Sequence, residues 1–193
     1  SIFASGDRGD TWRALTAIPN ITGRPGSIAN ISVNRMAFDP QDSKAIYLAS
    51  YDSGLYYTYS IVEGWNAVSG LPKATVNDIK VDPKSKCIIY AAISNRVYRS
   101  NDCSRTWSQI YFDNNAGVTV NAMAIDHYNT GNLYIGTSRG EIIKSIDSGN
   151  WQWRISGLRS MTERQGGIRS RVAGAMVSIP HLIFQIHLLQ PNI

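Results

Sequence analysis

The chain alternates short runs rich in β-branched and aromatic residues with clusters of Gly, Asp, Asn, Ser and Pro, the pattern of brief strands joined by tight turns. The stretch from Val76 to Trp107 shows the unit most fully. It opens V-N-D-I-K-V-D-P (Val76 to Pro83), continues C-I-I-Y-A-A-I (Cys87 to Ile93) and R-V-Y-R-S (Arg96 to Ser100), and closes on S-N-D-C-S-R-T-W (Ser100 to Trp107). Every piece recurs. Val33-Asn34, Val76-Asn77 and Val120-Asn121 begin three units; Asp39-Pro40, Asp82-Pro83 and Asp126-His127 end the first run; Tyr47, Tyr90 and Tyr134 mark the second. The offset is 43 or 44 residues each time, a period that predicts a repeat architecture with four short strands per unit.

The segment that closes each unit carries the clearest local chemistry. Ser5 to Trp12 reads S-G-D-R-G-D-T-W. A hydroxyl and a carboxylate two residues apart can bond local backbone groups and lock a tight hairpin. Gly9 is expected to supply a positive φ, and Trp12 to fix the hairpin by packing at the start of the last strand. The third unit keeps Ser100, Asp102, Thr106 and Trp107 but has Ser104 at the glycine position; the fourth keeps Ser145, Asp147 and Gly149, with Trp151 one residue early. In the second unit Thr58, Ser60 and Val62 replace Ser, Asp and Gly, and only Trp65 keeps its place. That hairpin should be looser. A Trp that outlives the acid points to a structural role, not a catalytic one.

These segments resemble the Asp box, S-x-D-x-G-x-T-W, of sialidases, xyloglucanase-like glycoside hydrolases, sortilin-type receptors and a photosystem assembly factor. The resemblance implies an all-β β-propeller of four-stranded antiparallel blades. Ile2 to Ser5 aligns with Val97 to Ser100, so the expected layout is a half blade over 1–18 and whole blades over 33–70, 76–112 and 120–158. Thr16 to Ser32, with Pro19, Gly23, Pro25 and Gly26, reads as a surface loop. The repeat stops after Leu158, leaving 159–193 as a non-repeat segment. About three and a half blades are fewer than propellers usually close with, so a fragment of a larger propeller, with missing blades elsewhere in a longer chain, is the expected state. The alternative is a ring of four in which Gly174 to Pro180 and His181 to Leu189 supply the inner strands that the first blade lacks.

Ten Tyr, five Trp and sixteen Gly suit strands punctuated by turns. The net charge of +5 is uneven: residues from Arg159 on carry +3 and the repeated body only +2, with no basic stripe of the kind nucleic acid requires. No membrane span is expected, because Pro180, His181, Gln185 and His187 interrupt the ~20 apolar residues a span needs. Asn20-Ile21-Thr22 and Asn30-Ile31-Ser32 fit the glycosylation pattern of secreted proteins. Cys87 opens the second strand of its unit and Cys103 follows the third. Antiparallel neighbours bring those ends to one rim, so a disulfide there is expected if the thiols meet an extracytoplasmic, oxidising environment.

Catalytic residues are not evident. Gly23-Arg24-Pro25-Gly26 does not match the sialidase arginine motif F-R-I-P, and a xyloglucanase-like site needs two carboxylates across a cleft between two propellers. Here most carboxylates sit in Asp boxes or D-P turns, where backbone bonding is the simpler role. His127, His181 and His187 have no ligand partners at metal spacing, and neither metal nor cofactor is expected. Arg8-Gly9-Asp10 spells an integrin tripeptide, but two of its residues fall at variable box positions. If a ligand binds, the turns joining second and third strands, at the rim opposite the Asp boxes, are the place to look. They carry Tyr51, Asp52, Asn95, Arg96, Arg139 and Glu141. The expected function is a non-catalytic module binding a glycan or protein partner there. The alternative is a piece of a glycoside hydrolase, xyloglucanase-like or sialidase-like, whose acids lie largely outside this chain.

Overall fold

A computed structural model describes residues 3–14, 31–61 and 63–155, all within the compact body Ser1–Arg159. The loop expected over Thr16 to Ser32 (save Ile31 and Ser32), the two glycosylation patterns in it, and the segment 159–193 with its Gly174 to Leu189 runs lie outside the described residues. Fourteen strands are described, and all their pairings are antiparallel. β1 (Phe3–Ala4) and β2 (Arg13–Ala14) form a two-stranded ribbon, the outer half of a first repeat. Three four-stranded meanders follow in chain order. The second repeat is β3 (Val33–Asp39), β4 (Asp42–Ser50), β5 (Leu55–Thr58) and β6 (Asn66–Ala67); the third is β7 (Val76–Val81), β8 (Ile89–Ile93), β9 (Arg96–Ser100) and β10 (Ser108–Phe112). The fourth is β11 (Val120–Ile125), β12 (Leu133–Thr137), β13 (Ile142–Ser145) and β14 (Trp151–Ile155).

The D-P turns close the first hairpin as their chemistry requires. Asp39, Asp82 and Asp126 each accept a backbone N–H two residues on, from Gln41 (2.8 Å), Lys84 (2.8 Å) and Tyr128 (2.8 Å). This is the Asx geometry that lets a short polar side chain hold a turn.

The Val-Asn opening has a more particular cause. In all three complete repeats the register slips at the Asn: Val33 faces Ser50 but Arg35 faces Ala49, Val76 faces Ile93 but Asp78 faces Ala92, and Val120 faces Thr137 but Ala122 faces Gly136. The Asn is thus the extra residue of a β-bulge, which re-aims its side chain. Asn34 donates its amide to Val76 O of the next repeat (2.8 Å), and Asn77 to Val120 O (2.9 Å). The bulge turns a recurring Asn into a staple between sheets.

Two of the three core clusters among the described residues lie between successive repeats, and the third, Ile46, Leu48 and Trp65, lies within the second. Ala45, Tyr47 and Ala49 of the second pack on Ile79 and Val81 of the third, while Tyr90 and Ala92 of the third pack on Met123 and Leu133 of the fourth. Tyr47 and Tyr90 are fully buried, and burial raises the pKa of both hydroxyls. Because each sheet covers the face of its neighbour, a 43- or 44-residue period yields a stack in which every repeat depends on the next.

The Ser–Asp turns take the expected form. Ser5 Oγ accepts Gly9 N (2.7 Å) and donates to Asp7 (2.7 Å), while Asp7 accepts both the amide (2.9 Å) and the hydroxyl of Thr11. Ser100, Asp102, Ser104 and Thr106 repeat these bonds at 2.6–2.9 Å. In the fourth repeat Gly149 N bonds Ser145 Oγ (2.8 Å) and Asn150 N bonds Asp147 (2.6 Å). Ser104 holds φ +69° where the first repeat has Gly9 at +106°. The worn turn keeps only a hydroxyl, Thr58, which donates to Gly64 O (2.7 Å) and accepts Ser60 N (3.0 Å), and its last strand has two residues against five in β10.

The Trp positions depart from the expectation in one place. Trp65 is 3 % exposed, and Trp107 and Trp151 are half-buried against the preceding repeat, Trp151 donating to Ile110 O (2.6 Å). Trp12 instead is 64 % exposed and donates to Gly9 O of its own turn (3.0 Å). No repeat stands before it among the described residues, so there is no sheet face to receive it.

Candidate functional site

The turns between second and third strands lie at the end of each meander opposite the Ser–Asp turns, as antiparallel pairing dictates. There the six rim residues fall into two groups. Asn95, Arg139 and Glu141 converge between the third and fourth repeats on a residue that the sequence did not single out, Asp113. Asn95 donates its side-chain amide to Asp113 O (2.7 Å), and Arg139 reaches Asp113 Oδ2 (3.2 Å) and Glu141 Oε2 (3.0 Å). Tyr111 donates its hydroxyl to Asp113 Oδ2 (3.2 Å). Asp113 and Glu141 are both buried. The hydrogen bond with Glu141 leads in raising the pKa of Arg139, so the guanidinium stays charged. Arg96 does not join this network; it stacks over Phe112, 4.8 Å from the ring centroid.

Asp113 was missed because it lies just past the last strand of its repeat, β10, and not in a second-to-third turn. Only the stacking of one repeat on the next puts it opposite Arg139. Two buried carboxylates sharing one guanidinium form a satisfied network. Its chemistry is to lock two neighbouring repeats together at this rim, since proton exchange with a substrate needs a carboxyl that is open to it.

Tyr51 and Asp52 lie apart, on the second repeat. Tyr51 is exposed, its N–H bonded to Ser32 O (3.0 Å) and its carbonyl accepting the Thr75 hydroxyl. Asp52 takes hydrogen bonds from Ser53 (2.7 Å) and Ser50 (3.1 Å), which lower its pKa and hold it ionised. It opens onto a cleft of about 290 Å³ lined also by Ser53, Leu55, Tyr56, Leu71, Pro72 and Lys73. Polar and apolar surface share its lining about equally. Among the described residues no group of three or more His, Cys, Asp or Glu is placed to hold a metal, and no helix is long and apolar enough to cross a membrane.

On the opposite rim Cys87 and Cys103 meet, with Cα atoms 4.0 Å apart and a disulfide between them. Cys103 N also donates to Cys87 O (3.2 Å).

No protein-family model matches the chain. Over 117 residues it is 26 % identical to the oligoxyloglucan-reducing end-specific xyloglucanase of Emericella nidulans, a match covering 57 % of this chain and 14 % of that protein. Over 73 residues it is 36 % identical to the probable oligoxyloglucan-reducing end-specific xyloglucanase of Neosartorya fischeri, covering 37 % of this chain and 8 % of that one. The chain therefore spans only a small part of the length of either relative. Among solved structures, an ancestral GH74 enzyme superposes with a TM-score of 0.56 at 18 % identity, over 69 % of this chain and 19 % of its own. The protein YCF48, solved bound to D1 peptide, superposes with a TM-score of 0.50 at 20 % identity, over 63 % of this chain and 40 % of its own.

The fold is that of a partial β-propeller. Each meander is a blade, the inter-repeat staples are blade-to-blade contacts, and the two rims are the two faces of the propeller.

Proposed function

We propose that this chain is a segment of a xyloglucanase-like propeller protein that contributes a glycan-binding rim and no catalytic acid. The observation that carries this reading is the contrast between the two rim groups. Asp113 and Glu141 are buried and held by Arg139, whereas Asp52, Tyr51 and the cleft beside them face outward. An ionised carboxylate with hydroxyls at its side and a Tyr nearby suits a sugar, whose hydroxyls donate to the carboxylate and whose C–H face stacks on the aromatic ring. The likeness to two fungal xyloglucanases supports a glycan as the ligand class, and the Ser–Asp turns support the Asp-box assignment. The Cys87–Cys103 bridge supports an extracytoplasmic home.

The test is calorimetric titration of the full chain with xyloglucan oligosaccharides. Binding that falls about tenfold in Asp52→Asn, a loss of about 1.4 kcal/mol, is the expected result. Undiminished binding in that variant, or no binding at millimolar sugar, sinks the reading. A second reading, that the chain is part of a glycoside hydrolase, is favoured by the xyloglucanase names of both relatives. It predicts that an extended form with further blades releases reducing ends from xyloglucan while this chain alone does not.

A further inference from the structure

The Cys87–Cys103 bridge lies within one blade, but the turn that it fixes touches both neighbours. Gln41 of the second blade donates its side-chain amide to Pro83 O (2.9 Å), and Asp42 of that blade pairs with Lys86 Nζ (2.9 Å). On the other side Lys84 Nζ donates to Tyr128 O of the fourth blade (2.6 Å). Gln41, Lys84, Lys86 and Tyr128 are exposed, and exposed polar contacts are worth little unless their geometry is fixed. All three contacts therefore depend on the conformation of residues 82–87.

That conformation differs from its counterparts at one residue. Lys44, Cys87 and Gly131 stand at the same place, each five residues past the Asp that opens the turn. Cys87 holds φ +69°, whereas neither Lys44 nor Gly131 is left-handed. At the facing position the hand does not vary: Arg8, Cys103 and Ser148 hold φ +62°, +59° and +64°. Nor is a bridge needed to bring the two turns together, because Ser148 N donates to Gly131 O (2.8 Å) in the fourth blade as Cys103 N does to Cys87 O (3.2 Å) in the third. A residue such as Cys enters the left-handed region at a cost and stays only where its surroundings hold it there. The bond to Cys103 does so here, and with two cysteines in the sequence it has no counterpart in the other blades.

We propose that this bridge is a redox-sensitive device that fixes the third blade to both neighbours on the rim of the Ser–Asp turns when oxidised and releases them when reduced. Cys87 and Cys103 are half-buried, within reach of a small dithiol. One thiolate of the dithiol attacks a bridge sulfur and expels the other as a thiolate. The second sulfur of the dithiol then displaces the first, closing its own disulfide, and the two protons that it loses leave Cys87 and Cys103 as thiols. Cys87 then moves out of the left-handed region, and Pro83 O, Lys84 and Lys86 move away from Gln41, Tyr128 and Asp42. The proposal does not rest on the glycan reading, so either can fail without the other.

The test adds dithiothreitol to the full chain and follows the carboxyl of Asp42 and the amide of Asn129 by nuclear magnetic resonance. The hydrogen bond from Lys86 leads in lowering the Asp42 pKa, so reduction should raise it toward the ordinary carboxylate value, and Lys86→Met should raise it in the oxidised protein. The Asn129 amide follows the carbonyl that Lys84 engages, so it should shift on reduction and in Lys84→Met. Reoxidation should restore both signals, and Cys87→Ser combined with Cys103→Ser should reproduce the reduced state without reductant. Both signals belong to the folded protein, and a bridge that acts only on the unfolded chain leaves them where they are. An unchanged Asp42 titration and Asn129 shift after reduction overturn the proposal. So does a bridge that resists dithiothreitol until denaturant is added, and so does loss of the folded spectrum on reduction, because the device needs two folded states.

Discussion

At the residue scale, one carboxylate closes each intact outer hairpin by collecting backbone and hydroxyl donors. Thr106 leads in lowering the Asp102 pKa from 3.8 to about 2, with Ser100 and the Arg105 amide adding to it. A group whose pKa is depressed on folding stabilises above its unfolded value, and that contribution is lost as pH falls through its folded value. Melting temperatures measured from pH 5 to pH 2 should therefore drop along an acid limb that Asp102→Asn makes shallower; Asp7 and Asp147, shifted the same way, leave part of the limb in place. The tryptophans should rank by what they pack against. Trp65→Ala should cost about 3–5 kcal/mol, as for an emptied aromatic core site. Trp107→Ala should cost less, and Trp12→Ala under about 0.5 kcal/mol, as for an exposed substitution. Urea melts of the three variants give the order directly.

At the scale of the element, the bulged Asn is the joint between blades. Removing it should matter only where the next strand stands opposite. Asn34→Ala and Asn77→Ala should each cost about 1 kcal/mol, the net worth of one hydrogen bond. Asn121 is exposed and its Oδ1 accepts the Thr119 hydroxyl (2.7 Å), so Asn121→Ala should stay within about 0.5 kcal/mol. Equal losses at all three positions in denaturant unfolding would show the staple to be local to each hairpin. The disulfide acts within a single blade: its cysteines are 16 residues apart, and closing a loop of that length stabilises by roughly 3 kcal/mol in the chain-entropy model. Protein made in an oxidising compartment should show no titratable thiol when denatured without reductant, and Cys103→Ser should melt earlier.

At the scale of the whole molecule, most of the core is built from contacts between blades, so a partial arc keeps apolar faces at its open end. Phe3, Trp12, Met36 and Phe38 are exposed together around one cavity, an arrangement that favours association. Met36→Lys combined with Phe38→Lys should raise the soluble fraction and leave the melting temperature nearly unchanged, since neither side chain is buried. Sedimentation velocity across a concentration series checks this. A matched fall in melting temperature would mean that these side chains already pack in solution.

The sequence by itself determined the all-β class, the 43- to 44-residue unit with four strands, and the hairpin chemistry of the Ser–Asp and D-P turns. These are legible because turn bonds join residues two to four positions apart and strands show themselves in short apolar runs. It also pointed to the shared rim of Cys87 and Cys103, because antiparallel order alone sets which strand ends meet. What only the tertiary structure decided lies between blades. The partnership of Arg139 with Asp113, the direction of the bulged Asn amides, and the packing of Trp151 against Ile110 all depend on which sheet stands next to which. Residues 26 or 42 positions apart leave no local pattern when they meet. For the same reason the rim candidates divided: Asn95, Arg139 and Glu141 were drawn into a structural network by the neighbouring blade, and Tyr51 and Asp52 were left beside an open cleft.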